Sequence, residues 1–329
     1  MPVFRVAFAT GLLAIAAGCA SQPEAPGDGS NADLVGVEAL THPTLTSITS
    51  TPVSTRPYGI AVSAQNLVYV TQISGSSVVQ ARLPSVIFGN PITTGIVPAH
   101  VAFNPAGTRG YVTNQTGQSL SIIDVASSTE IVRLPLQADG FNLIVSKNGA
   151  KVYVTLSTGL VDVVSTSSNT VTKSIQLGPV TNGLALNPSG SLVFISSRDA
   201  GTVSVINTTN DFVVGTLVTG GMPQRMAVSP DGTELYIANE TLGLDIWSLK
   251  TRTRITTVPM QAYGLGMTPD GVHLYVTDPL GGNIRVVNRV TRALVTTLSV
   301  GGTPRNVAFN KGGSAAFITN EVDFVTVVR

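Results

Sequence analysis

The chain has 329 residues, of which 11% are charged, and its formal net charge is +1. Its length suggests about two domains, although one array of repeats can be as long, and its content of Val, Ile, Thr, Ser and Gly favours β-structure over long solvated helices. A nearly neutral chain lacks the positive field that gathers phosphate polyanions, which argues against a nucleic-acid partner.

Residues 1–18, MPVFRVAFATGLLAIAAG, predict a secretory signal peptide. Arg5 precedes an apolar run that is too short to favour a membrane-spanning helix, and small residues stand directly before Cys19. The sequence AIAAGC resembles a bacterial lipobox, although Ala16 stands where that motif usually has a larger aliphatic residue. The resemblance implies that Cys19 is lipidated and becomes the mature N-terminus. An ordinary signal peptide followed by a chance cysteine is the alternative.

Residues 19–42 predict a flexible tether. This stretch begins rich in Pro, Gly, Ser and Asp and shows no sustained hydrophobic period. By resemblance to proteobacterial sorting rules, Ala20 after the cysteine implies an anchor in the outer membrane, with the protein facing the periplasm or the exterior. The predicted organisation is therefore a signal peptide over 1–18, a tether over 19–42 and one domain over 43–329.

A unit of about 40 residues repeats seven times over the rest of the chain. Each copy carries a segment such as VYVTQ, GYVTN, LYIAN or AFITN, and the aromatic residues of successive copies are 39 to 42 residues apart. A period near 40 residues with about four short strands in each period indicates the blades of a β-propeller. The aromatic residues that open the second strand of each unit are Tyr69, Tyr111, Tyr153, Phe194, Tyr236, Tyr275 and Phe317.

The two ends of the array predict how the ring closes. The last unit stops at Arg329 after three strand-like segments, and a surplus segment, TLTSITSTPV over residues 44–53, precedes the first unit. An open ring would expose unpaired strand edges, so this segment is predicted to be the missing outer strand of the last blade. The predicted fold is all-β: a seven-bladed β-propeller of four-stranded antiparallel blades, closed by an N-terminal strand that joins three C-terminal strands.

The units resemble the YVTN family of β-propeller repeats. The resemblance rests on the repeated YVTN-like hairpin and on the GGMP and GGTP joints between units, and it covers about residues 44–329. These features indicate an architecture and say little about activity, because propellers carry many unrelated functions.

Ligand sites of propellers usually occupy the channel mouth formed by the joints between blades and by the turns after the second strands. Residues at these positions are polar, mixed in charge and different from blade to blade, as expected of a binding surface. The inner-strand candidates are Tyr58, His100, Asn142, Asn182, Arg225, Tyr263, Arg305 and Asn306, and the turn candidates are Asn114, Asn239, Glu240, Asp278 and Asn320. For Asn114, Asn239 and Asn320 a structural role competes, because an asparagine side chain can satisfy the backbone of a turn.

The reactive residues favour a binding module over an enzyme. Of three histidines only His100 is expected at the mouth, and the single cysteine lies in the lipobox, so we assign no catalytic residue, metal site or cofactor. We expect a lipid-anchored extracytoplasmic monomer that binds a protein, a peptide or a cell-envelope glycan. The alternative is a propeller hydrolase, lactonase or lyase in which Asp278, Glu240 and Glu321 hold a divalent cation.

Overall fold

The structure, a computed structural model, describes residues 47–329, which form seven four-stranded antiparallel sheets. These residues contain 28 strands and a single three-residue 3-10 helix, Ile73–Gly75. The predicted all-β fold and the seven-bladed propeller are confirmed. The predicted signal peptide, the tether and Cys19 lie outside the described residues. Over residues 47–329, no helix has the length and apolar character required to cross a membrane.

Each of blades 1 to 6 is built from four consecutive strands, from the inner strand at the channel to the outer strand at the periphery of the ring. Their bounds follow in chain order, after β1 (Ile48–Pro52): blade 1, β2 (Pro57–Val62), β3 (Leu67–Gln72), β4 (Ser77–Arg82), β5 (Ile92–Thr93); blade 2, β6 (Pro98–Phe103), β7 (Arg109–Asn114), β8 (Ser119–Asp124), β9 (Thr129–Pro135); blade 3, β10 (Gly140–Val145), β11 (Lys151–Leu156), β12 (Leu160–Ser165), β13 (Thr170–Gln176); blade 4, β14 (Thr181–Leu186), β15 (Leu192–Ser197), β16 (Thr202–Asn207), β17 (Phe212–Val218); blade 5, β18 (Pro223–Val228), β19 (Glu234–Asn239), β20 (Gly243–Ser248), β21 (Thr253–Val258); blade 6, β22 (Leu265–Met267), β23 (His273–Asp278), β24 (Asn283–Asn288), β25 (Leu294–Ser299).

Blade 7 closes the ring with strands from both ends of the described chain. It contains β26 (Pro304–Phe309), β27 (Ala316–Asn320), β28 (Phe324–Val328) and, as its outer strand, β1. β1 pairs antiparallel with β28 from Ile48 opposite Val328 to Pro52 opposite Phe324. The predicted closure is confirmed, and it pairs an edge of the last three strands that would otherwise be open.

The core is divided into seven apolar clusters, one in each joint between adjacent blades. Every cluster contains one of the seven aromatic residues that open the second strands, and each of these side chains is at most 2% exposed. Tyr69 of blade 1, for example, packs with Val101, Val112 and Ile123 of blade 2. Truncation of such an aromatic residue to alanine costs about 3 to 5 kcal/mol. The repeated aromatic position therefore holds neighbouring blades together.

Candidate functional site

An irregularity of the inner strands places the residues of the channel mouth. Six of the seven inner strands shift register against the second strand near their first residues, which is the mark of a β-bulge. In blade 5, Gln224 and Arg225 both lie opposite Ala238. A bulge breaks the alternation of a strand, so that two adjacent residues contribute to the mouth where a regular strand would contribute one.

In six of the seven blades a hydroxyl group on the second strand bonds to the backbone near the start of the inner strand and joins it to the next blade. The Oγ1 atom of Thr113 accepts a hydrogen bond from the backbone N–H of His100 at 3.0 Å and donates one to the carbonyl of Phe141 in blade 3 at 3.3 Å. The same double contact is made by Thr71, Thr155, Ser196, Thr277 and Thr319. The third residue of the YVTN-like segment is therefore structural, and blade 5 lacks this hydroxyl because it has Ala238.

The asparagines that follow this position are buried beneath the rim. Asn320 is fully buried; its Oδ1 accepts from the N–H of Thr303 at 2.7 Å and its amide donates to the carbonyl of Gly301 at 2.7 Å. Asn239 binds the other GGxP joint in the same way, Asn114 donates to the hydroxyls of Ser119 and Ser121, and Asp278 accepts from Gly281 N and Arg285. These four predicted rim residues fasten their own turns and joints and do not line the cavity of the mouth.

Seven of the predicted rim residues do line one cavity of about 680 Å³ at the mouth. They are Tyr58, His100, Asn182, Arg225, Glu240, Tyr263 and Arg305. Asn142 and Asn306 lie beside it: the Asn142 side chain accepts from the N–H of Leu143, and the Asn306 amide donates to the carbonyl of Tyr58 at 2.8 Å. A cavity of this volume is within the range that holds a small ligand or part of a larger one.

The cavity also contains charged residues that the sequence-based candidates omit, among them Arg56 and Asp199. Arg56 stands directly before Pro57, and this proline opens its inner strand as Pro98, Pro223 and Pro304 open theirs. Alignment of the units on that proline, rather than on the aromatic residue, is the signal that would have found Arg56.

Most charged side chains in the cavity are paired with an oppositely charged neighbour. Glu321 accepts from Arg305 at 2.8 Å and from Arg56 at 2.9 Å. Arg198 bonds to Glu240 at 3.2 Å and to Asp199 at 2.8 Å. The Arg198–Glu240 and Arg56–Glu321 pairs connect blades that are adjacent in the ring, whereas the other two pairs each lie within one blade.

Two tyrosines meet over the channel. The hydroxyls of Tyr58 and Tyr263 are 2.7 Å apart, and one face of each ring is covered, that of Tyr263 by the guanidinium of Arg305 at 4.6 Å and that of Tyr58 by the tilted ring of His100 at 5.3 Å. Burial, followed by the neighbouring Tyr263, raises the pKa of Tyr58 above its ordinary value, so this phenol is protonated at neutral pH.

Arg225 crosses the channel and contacts three other blades. Its Nε donates to the side-chain oxygen of Asn306 in blade 7 and one terminal nitrogen donates to that of Asn182 in blade 4, each at 3.1 Å. The other terminal nitrogen contacts Nε2 of His100 in blade 2. Burial, with a smaller effect of Arg225, holds the pKa of His100 well below its usual value, so its imidazole is neutral and accepts this bond.

A second pocket of about 320 Å³ adjoins the mouth at the joint between blades 5 and 6, where the bridging hydroxyl is absent. It shares Glu240, Tyr263 and Arg305 with the main cavity and is bounded by Pro279 and Leu280. The Leu280 side chain is 86% exposed. The charged cavity of the mouth therefore continues into a more apolar pocket that includes Ala262, Pro279 and Leu280.

The acidic residues of the mouth do not converge as a metal site requires. Each of Glu240, Glu321 and Asp278 is bonded to an arginine. Across residues 47–329, no group of three His, Cys, Asp or Glu side chains is arranged to hold a metal ion. The chemistry that this arrangement offers is hydrogen bonding and charge pairing with a ligand.

Comparison with known proteins supports the fold. No model of a known protein family matches the chain, and no curated protein matches its sequence. Among many solved structures that match, a chain of hydrazine synthase from Kuenenia stuttgartiensis has a TM-score of 0.76 at 18% identity, over 85% of this chain and 97% of the other. At this identity the likeness shows a shared propeller fold and nothing about function.

Proposed function

We propose that the protein is an exported, lipid-anchored binding module with YVTN-type repeats, and that its channel mouth holds a segment of a protein partner. The observation that carries this proposal is the division of labour among residues: those that repeat are buried and structural, whereas those that differ between blades line one cavity of about 680 Å³. A frame of repeats needs no particular side chain at that place, whereas a ligand does.

The form of the mouth favours a polypeptide over a glycan. Sugar rings bind by stacking on open aromatic faces, and Arg305 and His100 already cover one face of Tyr263 and Tyr58. A polypeptide segment instead combines charged groups, backbone hydrogen bonds and apolar side chains. The charged side chains of the mouth can bind the charged groups and the backbone of such a segment, and the apolar surface around Leu280 can bind its apolar side chains.

The geometry gives less support to a metal-dependent hydrolase, lactonase or lyase. Such an enzyme needs free carboxylate oxygens that converge on a cation. The carboxylates of Glu240 and Glu321 are instead engaged by Arg198, Arg305 and Arg56.

Capture of partners from a cell-envelope extract tests the binding function. The immobilised wild-type protein is compared with an Arg225→Ala/Arg305→Ala double variant and with Lys311→Ala, an exposed turn residue on another part of the blade that serves as control. We expect a polypeptide retained by the wild type and the control and reduced at least about tenfold by the double variant, a loss of about 1.4 kcal/mol. Equal retention by all three proteins contradicts the proposal, and retention of a glycan alone contradicts the polypeptide partner.

The membrane anchor is tested separately, because it rests on the sequence around Cys19 alone. Cells that express the protein are fed a radiolabelled fatty acid. We expect labelled wild-type protein and no label on Cys19→Ser, with equal amounts of both proteins on an immunoblot. Undiminished labelling of the variant removes the anchor from the proposal and leaves the binding function standing.

A further inference from the structure

Arg225 differs from the other arginines of the mouth in having no acidic partner. Arg56, Arg198 and Arg305 each form an ion pair, whereas Arg225 forms none with any residue in 47–329. It is also the most enclosed of the four, with 8% of its surface exposed. Burial of a charge is costly unless an opposite charge or several hydrogen bonds compensate it.

The three acceptors that Arg225 does have are electrically neutral. They are the amide oxygens of Asn306 and Asn182 and the imidazole of His100. The Asn182 amide in turn donates to Gln224, which donates to Glu240. The nearest carboxylate of this network is therefore two amide side chains away, and the positive charge of Arg225 is not neutralised locally.

The Arg225 guanidinium also has N–H groups that these three contacts do not use. It carries five N–H bonds, and the three contacts above use one from Nε and one from each terminal nitrogen, so one hydrogen on each terminal nitrogen is left. When the two that are left are those between the terminal nitrogens, they form the fork that binds a carboxylate through both oxygens. Arg225 lines the cavity of the mouth, where such a group can reach it.

The paired tyrosines add a further donor to the same cavity. When one of the hydroxyls of Tyr58 and Tyr263 donates to the other, the acceptor keeps its own hydrogen for a third group. The walls of the cavity thus offer a buried positive charge and a phenolic donor to the same space. A single unpaired guanidinium matches the one charge of a carboxylate and leaves half the charge of a phosphate dianion unmatched.

We propose that Arg225 is the anchor point for a carboxylate group of the ligand, so that the bound segment of the partner presents an acidic side chain or its C-terminus at the floor of the mouth. This inference rests on the proposed function for the polypeptide that carries the carboxylate. The anion site itself is a property of the cavity and is testable without the partner.

The test uses glutarate as the probe on the purified full-length protein, with its neutral analogue glutaramide, inorganic phosphate and sodium chloride at matched ionic strength. We expect about 50 mM glutarate to raise the Tm by about 2 °C over sodium chloride, and glutaramide to leave it unchanged. The shift is expected to vanish in Arg225→Gln, to persist weakly in Arg225→Lys and to be complete in the control Lys311→Gln. A glutarate shift that survives in Arg225→Gln, or an equal shift with phosphate, overturns the assignment.

A crystal of the wild type soaked in glutarate gives a second measurement that needs no variant. A carboxylate within hydrogen-bond distance of the Arg225 guanidinium supports the proposal, and glutarate bound only elsewhere overturns it. The two proposals also fail separately. Capture that is lost in the Arg225→Ala/Arg305→Ala double variant, without any effect of glutarate, removes the anion site and keeps the binding module. Glutarate binding at Arg225, with capture unchanged in that double variant, keeps the anion site and removes the binding function of the mouth.

Discussion

The joint between blades 5 and 6 differs from the other six joints of the ring. Six joints are bridged by a threonine or serine hydroxyl that accepts from a backbone N–H near the start of its own inner strand and donates to a carbonyl of the next blade, whereas this one has Ala238. The side pocket of the mouth lies at the same joint, and the bulge of blade 5 carries Arg225. The comparison teaches that the candidate site lies where the chain departs from the repeat.

The largest expected effect comes from removal of residues 44–53, which converts the closed ring into one with an open edge. This deletion removes β1 and its five pairings with β28. We expect aggregation or loss of cooperative thermal unfolding, because the unpaired edge of β28 is then free to join other chains. Melting is followed by circular dichroism and association by light scattering.

The matched control for this deletion removes ten residues, 20–29, from the predicted tether. We expect that protein to melt as the wild type does. An unchanged melting curve after deletion of 44–53 would show that the bridged joints hold the ring without its closing strand.

Removal of one bridging hydroxyl tests how much such a bridge contributes to the stability of the protein. Thr155→Val keeps the shape of the side chain and removes the partner of the Asn142 N–H and the Asn182 carbonyl. We expect a loss of about 2 kcal/mol in the free energy of unfolding, since two partly buried backbone groups lose a bond. Denaturant titration measures it, with the exposed Thr216→Val as control. If Thr155→Val lowers the free energy of unfolding no more than Thr216→Val does, the hydroxyl does not stabilise the joint.

The burial of His100, with a smaller effect of Arg225, predicts that the stability of the protein depends on pH. The folded protein holds the pKa of His100 well below its unfolded value of about 6.5, so the unfolded chain binds the proton first and stability falls as the pH drops below that value. This single group contributes at most about 1.4 kcal/mol for each pH unit. We expect a shallower decline in His100→Gln when both proteins are unfolded by denaturant between pH 7 and 5. Parallel curves for the two proteins would contradict this assignment.

The smallest effect is expected from giving the exceptional joint its missing bridge. Ala238→Ser introduces the hydroxyl that Ser196 supplies in blade 4 and should stabilise the protein by about 1 kcal/mol. The reverse change, Ser196→Ala, should destabilise it by a similar amount, and denaturant midpoints compare the two. Destabilisation by Ala238→Ser would mean that this joint excludes the hydroxyl, and that the difference between the joints is one of space.

The sequence predicts the frame of this protein well and its site only in part. Period, strand pattern and the surplus segment at 44–53 are local signals, and they predict seven blades and their closure. The bulges are not visible in this way, because they depend on where a neighbouring strand sets the register. The contact of Arg225 with His100 joins residues 125 positions apart, and only the curvature of the ring brings them together.

The turn asparagines also show that the sequence does not reveal which way a polar side chain points. Asn114, Asn239 and Asn320 occupy turns at the mouth, and sequence position alone allows them either to face a ligand or to bind their own backbone. Burial and backbone bonds show the second arrangement for Asn239 and Asn320, whereas the equally buried Asn114 donates to the hydroxyls of Ser119 and Ser121. The orientation of a short polar side chain in a tight turn depends on unpaired backbone groups nearby, which a linear sequence does not display.

The closing strand also constrains the order in which the molecule can be made. Ile48 pairs with Val328, so blade 7 cannot be completed until Val328 has been synthesised, 280 residues later. Each of blades 1 to 6 is built from consecutive strands and can assemble earlier. Until blade 7 is complete, β1 has no strand to pair with. Contacts this distant in sequence form slowly, and the unfinished ring exposes a strand edge in the meantime. Ring closure is therefore expected to be the late, aggregation-sensitive step of folding.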